Sequence, residues 1–129
     1  MAEWGVIPSI RVQSMRDALR FYVETLEFDV KSGGEDASNS SLDRGTAHVM
    51  VETAAHHFGK EYNAAIKKRL GTPSTIALYI EADDLEAFYS RLEAGGVARI
   101  IDSLAARPWG QQEFTVEDQD GNWLTFWKK

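Results

Sequence analysis

One pattern occurs twice in this chain. A strand, then a capped amphipathic helix with a Phe-Tyr pair, then further strands are met before residue 55 and again after residue 74. Two copies at so long a period predict two similar βαβββ modules, about 6–55 and about 75–129. A helix can cover only one face of its module's sheet. Two such sheets brought together curve into a half-barrel, with a cleft lined by the faces the helices leave open. The expected fold class is therefore α+β, with paired βαβββ modules in one domain over residues 1–129.

The first copy opens with residues 6–12, which alternate as a strand does; Pro8 has no N–H to donate and suggests an edge or a strand start. Ser14 is placed to cap a helix. Met15, Ala18, Leu19, Tyr22, Val23 and Leu26 then recur at i, i+3, i+4, i+7, i+8 and i+11, one apolar stripe. A short strand over 28–31, a loop over 32–41 and a short strand near Leu42 follow. Asp43-Arg44-Gly45 reads as a turn into a strand over 46–52, with Val49 and Val51 on one face and His48, Met50 and Glu52 on the other. Residues 57–70 form a helical pattern between the copies, with Phe58, Tyr62, Ile66 and Leu70 on one side, either a packed connector or a lid.

The second copy starts with a strand over 75–81, Ile76, Leu78 and Ile80 facing one way and Thr75, Ala77, Tyr79 and Glu81 the other. Asp83 or Asp84 caps a helix with Leu85, Phe88, Tyr89 and Leu92 on its stripe, and Gly95-Gly96 ends it. A strand over 97–101 and a polar loop lead to the run from Arg107 to Trp127. There, two stretches rich in Phe, Val, Thr and Trp are joined by Asp120-Gly121-Asn122, a hairpin signal, because Gly121 enters the φ > 0 region without steric cost. Pro108 and Gly110 bracket Trp109 on the loop before the first of these strands.

Composition excludes several classes of function. A formal charge of −6 over 129 residues argues against nucleic acid, whose phosphates need clustered Lys and Arg. The same charge suits a cationic ligand, although moderate acidity more often serves solubility. With no cysteine there are no disulfides, thiolate chemistry or Cys-zinc sites. No Ser-His-Asp pattern or glycine-rich phosphate loop is visible, nor a leader or a run long enough to span a bilayer. A cytoplasmic protein with no membrane partner is expected.

Pro8 on the first strand, Met15-Arg16-Asp17-Ala18-Leu19-Arg20-Phe21-Tyr22 at the helix start, Pro108-Trp109-Gly110, Glu113-Phe114 and Asp118-Gln119-Asp120-Gly121-Asn122 occur in that order. Together they resemble the glyoxalase/bleomycin-resistance/dioxygenase superfamily, the vicinal oxygen chelate fold. The resemblance spans nearly the whole chain except 32–41 and 57–70, and is closest to the bleomycin-resistance branch. Gln119 stands where that branch usually has Pro, a change that loosens the turn without abolishing it. Enzymes of the superfamily, the resemblance implies, hold a divalent metal through one inward residue on each of four strands. Carried over, those positions are Ile7, Met50 or Glu52, Thr75 and Thr125. Only Glu52 can ligate, and one carboxylate does not hold a transition metal. A site from Glu52 with His48, His56 and His57 would take every ligand from one short segment. The plainer reading makes His48 a hydrogen-bonded cleft residue and His56-His57 an exposed loop. No metal and no cofactor is expected.

The cleft faces carry an aromatic set, Trp109, Trp123, Trp127 and Tyr79, with Thr125 between two of the tryptophans. They also carry a polar set: Ser9, Arg11, His48, Glu52, Glu81, Glu113 and Thr115. Aromatic faces stack on planar rings and attract cations at about 0.5–2 kcal/mol per contact, and carboxylates add charge-assisted bonds. The candidate ligand-binding residues are Trp109, Trp123, Trp127, Glu52, His48, Tyr79, Glu113 and Thr125. Trp123 and Trp127 also suit a core or a dimer interface. In bleomycin-resistance proteins, the resemblance implies, an acidic dimer sequesters a cationic drug in aromatic-walled grooves without altering it. The expectation is a metal-free small-molecule-binding homodimer, its modules either kept within each copy or exchanged between copies, with Trp4 packing an N-terminal arm on the partner. The alternatives are a metal-dependent glyoxalase- or dioxygenase-type enzyme, and an interaction domain with a protein in its groove.

Overall fold

The structure is a computed structural model and describes residues 5–54 and 59–129. Trp4, His56, His57 and Phe58 lie outside the described residues. The chain divides into two compact units, Met1–Gly71 and Thr72–Lys129.

In the first unit, β1 (Ser9–Arg11) leads to α1 (Met15–Leu19), which runs on as a π-helical stretch over Arg20–Thr25. β2 (Asp29–Ser32), β3 (Asn39–Arg44), β4 (Ala47–Glu52) and α2 (Lys60–Arg69) follow. The sheet order is β1-β4-β3-β2, with β1 parallel to β4 and the other pairs antiparallel. Ser14 caps α1 as its sequence position predicts: its side-chain oxygen accepts from the Asp17 N–H at 3.2 Å. Met15, Ala18, Leu19, Tyr22 and Leu26 are buried, as are Ile10, Leu42, Val49 and Val51 of the sheet. Val23 is only half-buried. The π-helical stretch accounts for this: the Leu26 N–H reaches back five residues to the Phe21 carbonyl, at 3.0 Å, and the wider turn swings Val23 off the stripe. Glu27, at φ 67°, ends the helix, and Arg44 Nε donates to the Leu26 carbonyl at 2.9 Å.

In the second unit, β5 (Ala77–Glu81), α3 (Leu85–Gly95), β6 (Arg99–Ala106), β7 (Gln112–Glu117) and β8 (Trp123–Lys128) repeat the βαβββ order. The sheet order is β5-β8-β7-β6, with β5 parallel to β8. Leu85, Phe88 and Leu92 of α3 are buried, with Phe114, Val116, Leu124 and Phe126 of the sheet. The Phe88 ring centroid lies 4.9 Å from Phe126 and 5.7 Å from Phe114, and the latter two stack at 5.5 Å. Two four-stranded mixed sheets, each with a helix against one face, make this an α+β fold.

Several expected boundaries move. β3 begins at Asn39, inside the expected loop, because Ser40 is buried with its hydroxyl accepting from the Gly34 N–H at 3.0 Å. β6 runs on through the expected polar loop to Ala106; register shifts between Ile100 and Asp102 and between Asp102 and Ala105 let polar residues sit on this edge strand. Ile7 precedes β1 and Thr75 precedes β5. Asp84 occupies the cap position of α3 without a side-chain cap bond; its carboxylate accepts from Arg91 at 2.8 Å instead. Among the described residues, no helix is long and apolar enough to cross a membrane.

The hairpin between β7 and β8 is tied by Asp118, which is 4% exposed. Its Oδ1 accepts from the backbone N–H groups of Asp120 and Asn122, at 2.9 and 2.8 Å, and its Oδ2 from the Asn122 side chain at 2.9 Å. Gly121, at φ 86°, makes the reversal. These bonds form the turn with Gln119 in the usual place of Pro. Asp118→Ala should cost about 2 kcal/mol by orphaning those donors, checked by urea unfolding; a loss below about 0.5 kcal/mol would show that the strands alone set the turn.

Candidate ligand-binding faces

Side chains alternate across a strand, so the residues pointing away from α3 are fixed by the register of the second sheet. Three rows cross it: Ala77–Trp123–Glu117–Arg99, Tyr79–Thr125–Thr115–Asp102 and Glu81–Trp127–Glu113–Ala105. Five of the predicted site residues, Tyr79, Glu113, Trp123, Thr125 and Trp127, thus share one face of one sheet. The middle row is closed by a 2.8 Å hydrogen bond between the Thr115 and Thr125 hydroxyls, both buried. In the first row, Trp123 Nε1 donates to Glu117 Oε2 at 2.7 Å, and Arg99 lies 3.2 Å from Glu117 Oε1. This bond holds the edge of the Trp123 indole while the side chain stays 40% exposed.

Trp109 sits on the turn that joins β6 to β7. The Arg107 N–H donates to the Gln111 carbonyl and the Gly110 N–H to the Arg107 carbonyl, at 2.7 and 3.0 Å. Pro108 pre-sets the turn, and Gly110, at φ 89°, takes the left-handed position of a three-residue hairpin loop. The indole at its tip is 62% exposed. This turn is at the Glu113–Trp127 end of the sheet. Trp123 is four residues from Trp127, about 13 Å at about 3.3 Å per residue, so one ring system cannot stack on both.

Arg107 has a role that sequence reading missed, although a cation beside Pro-Trp-Gly was visible. Its guanidinium donates to Asp102 and places Nε 3.5 Å from Glu113 Oε1. At the end of β8, Lys128 bonds Glu86 at 2.9 Å and holds that exposed carboxyl below its ordinary value.

In the first sheet, the face turned away from α1 carries Ser9, Arg11, Ser41, Asp43, His48, Met50 and Glu52. Glu52, 2% exposed, accepts from Ser9 at 3.0 Å and from Arg11 at 2.9 Å. Arg11 also donates to the Tyr62 hydroxyl, with its guanidinium 5.2 Å from that ring's centroid. Arg11 thereby ties Tyr62 of α2 to β1, and Ile66 of the same helix is buried. His48 Nδ1 lies 2.7 Å from Asp43 Oδ1, and both line a hollow of about 260 Å³ with Ile7, Ser41 and Met50.

The residues at the carried-over metal positions do not fit a divalent ion. The register sets Ser9, not Ile7, beside Met50, and Tyr79, not Thr75, beside Thr125. The Glu52 carboxylate is engaged by Arg11 and Ser9, and Thr125 by Thr115. Among the described residues, no three His, Asp or Glu side chains gather as metal ligands would.

No curated protein matches the sequence. Solved structures do match in fold. A bleomycin-binding protein complexed with bleomycin is 20% identical, with a TM-score of 0.72 over 100% of this chain and 99% of that one. A bleomycin resistance determinant encoded on transposon Tn5 is 19% identical, with a TM-score of 0.72 over 100% and 98%. TioX from Micromonospora sp. ML1 is 19% identical, with a TM-score of 0.70 over 96% and 98%. The sequence profile of one family covers residues 6–126, and with both βαβββ units in place this chain belongs to the Glyoxalase/Bleomycin resistance protein/Dioxygenase superfamily.

Proposed function

We propose that this chain is a small-molecule-binding protein that retains a flat organic cation on aromatic and acidic side chains, without a metal and without turnover. The observation that carries the reading is the strand register of the second sheet, which gathers Tyr79, Trp123, Thr125, Trp127 and Glu113 on one face. Trp109, 62% exposed, is on the turn at the Glu113–Trp127 end of that sheet. Stacking and cation–π attraction are the interactions such side chains supply best. On the first sheet, taken by itself, His48 is read as a polar wall of the hollow it lines with Asp43 and Met50, and Glu52 as the carboxylate that holds Ser9 and Arg11 on the same face. The fold likeness to a bleomycin-binding protein agrees with this reading, at an identity too low to transfer the ligand.

A thermal-shift screen of planar and cationic compounds is expected to raise the melting temperature with flat cations. For a hit such as 9-aminoacridine, Trp109→Ala should weaken binding by about 1–3 kcal/mol in a calorimetric titration, with stability changed by less than about 0.5 kcal/mol. Unchanged affinity would remove Trp109 from the site. Purified protein should carry only substoichiometric transition metal by elemental analysis and should melt at the same temperature with a chelator; loss of stability on chelation would overturn the metal-free reading. We infer further that two copies associate, since Ile76, Tyr79 and Val97 are each at least 60% exposed. Sedimentation giving a strict monomer at micromolar concentration would refute the dimer.

A further inference from the structure

The carboxylate of Glu113 is buried and only half-engaged. The residue is 5% exposed, and no described group bonds its Oε2. Its other oxygen, Oε1, has Arg107 Nε at 3.5 Å, a long contact, because Arg107 is turned toward Asp102. A buried charged acceptor left in this state is costly, and native chains keep such groups mainly where something else supplies the donor. Glu113 stands directly across from Trp127, on the face that carries Tyr79 and Thr125 and at the end where the Trp109 turn lies. At this point an oxygen that lacks a donor stands across from an indole able to stack on a flat cation.

We propose that Glu113 Oε2 is the anchoring atom of the site. The ligand class it selects is a planar cation whose charge sits on an N–H donor: a protonated amine, amidine or guanidine conjugated to a ring. The donor bonds Oε2, the ring lies toward Trp127, and Arg107 stays on Asp102 as the positioning residue that keeps Oε1 occupied. Permanently alkylated cations bring charge but no N–H and leave the acceptor unmet. The inference rests on the reading of this face as the ligand platform.

The test uses three acridines of nearly equal shape on the full chain: 9-aminoacridinium, 10-methylacridinium and neutral acridine. The wild type is expected to bind 9-aminoacridinium at least about tenfold more tightly than 10-methylacridinium, the step that one charge-assisted hydrogen bond supplies. Glu113→Gln should erase that preference while acridine binds as before, and Glu93→Gln, an equal charge change on the exposed face of α3, should keep it. Equal wild-type affinity for the two cations overturns the anchor and leaves the stacking platform standing, a result that does not depend on the variant folding. A preference that survives in Glu113→Gln also overturns it. So does a Glu113→Gln protein that melts lower and binds all three probes unchanged, which would make the residue a structural partner of Arg107. Binding of none of the three by the wild type would overturn the platform itself, and the anchor with it.

Discussion

Phe126→Ala is expected to destabilise the protein by about 4 kcal/mol. Phe126 is fully buried on the central strand β8, with Phe88 against its edge at 4.9 Å and Phe114 stacked on it at 5.5 Å. Truncation removes the transfer energy of the ring and leaves a cavity whose two neighbours sit on separate elements, so collapse is limited. The aromatic pairs add about 0.5–1.5 kcal/mol each beyond buried area. Calorimetry should show the melting temperature falling by more than about 10 °C. A loss below about 2 kcal/mol would mean that α3 settles into the space, and that this cluster is not the centre of the second unit.

Arg11→Ala should cost about 3 kcal/mol in the first unit, for a different reason. The variant leaves Glu52, 2% exposed, with the Ser9 hydroxyl at 3.0 Å but without the guanidinium that offsets its charge. Breaking a buried pair from one side is commonly worth about 3–5 kcal/mol, and the 23% exposure of the Arg11 side chain sets the lower end. The same change releases the Tyr62 hydroxyl and the ring beneath the guanidinium, so α2 should lose its hold on the sheet and protease cleavage within residues 60–69 should quicken. The double variant Arg11→Met, Glu52→Met should recover most of the stability, because no charge is then stranded. If the double variant is as unstable as Arg11→Ala alone, charge pairing is not the cause.

The sequence made legible whatever depends on near neighbours. Ser14 announces its cap, and Ile10, Val49 and Val51 declare their face by alternation. The Trp109 turn and the Asp118–Asn122 turn are written in Pro, Gly and Asp. The rows of the second sheet were legible in part: the parity of Trp123, Thr125 and Trp127 is local, but their partners are not. Parallel pairing of β5 with β8 joins residues more than forty positions apart, and nothing in either strand says whether Thr75 or Tyr79 will face Thr125. The positions carried over as Ile7 and Thr75 lie just before β1 and β5, where no strand partner fixes their facing. The π-helical stretch over Arg20–Thr25 was hidden because the ordinary helical period fits the same apolar residues almost as well. Arg107 was hidden because a surface cation and a bridging one look alike in a string of letters.

In both sheets the strand made last in its repeat, β4 or β8, is interior and lies beside the one made first. Neither half can close around a partial product. A growing chain holds β5, β6 and β7 with a gap at their centre until β8 has been synthesised, and only then does β5 gain a neighbour. Folding of each half is therefore a late, all-at-once event governed by distant pairings, slower than that of a helical bundle of equal length. Deleting residues 123–128 removes a middle strand and would be expected to abolish the second half outright.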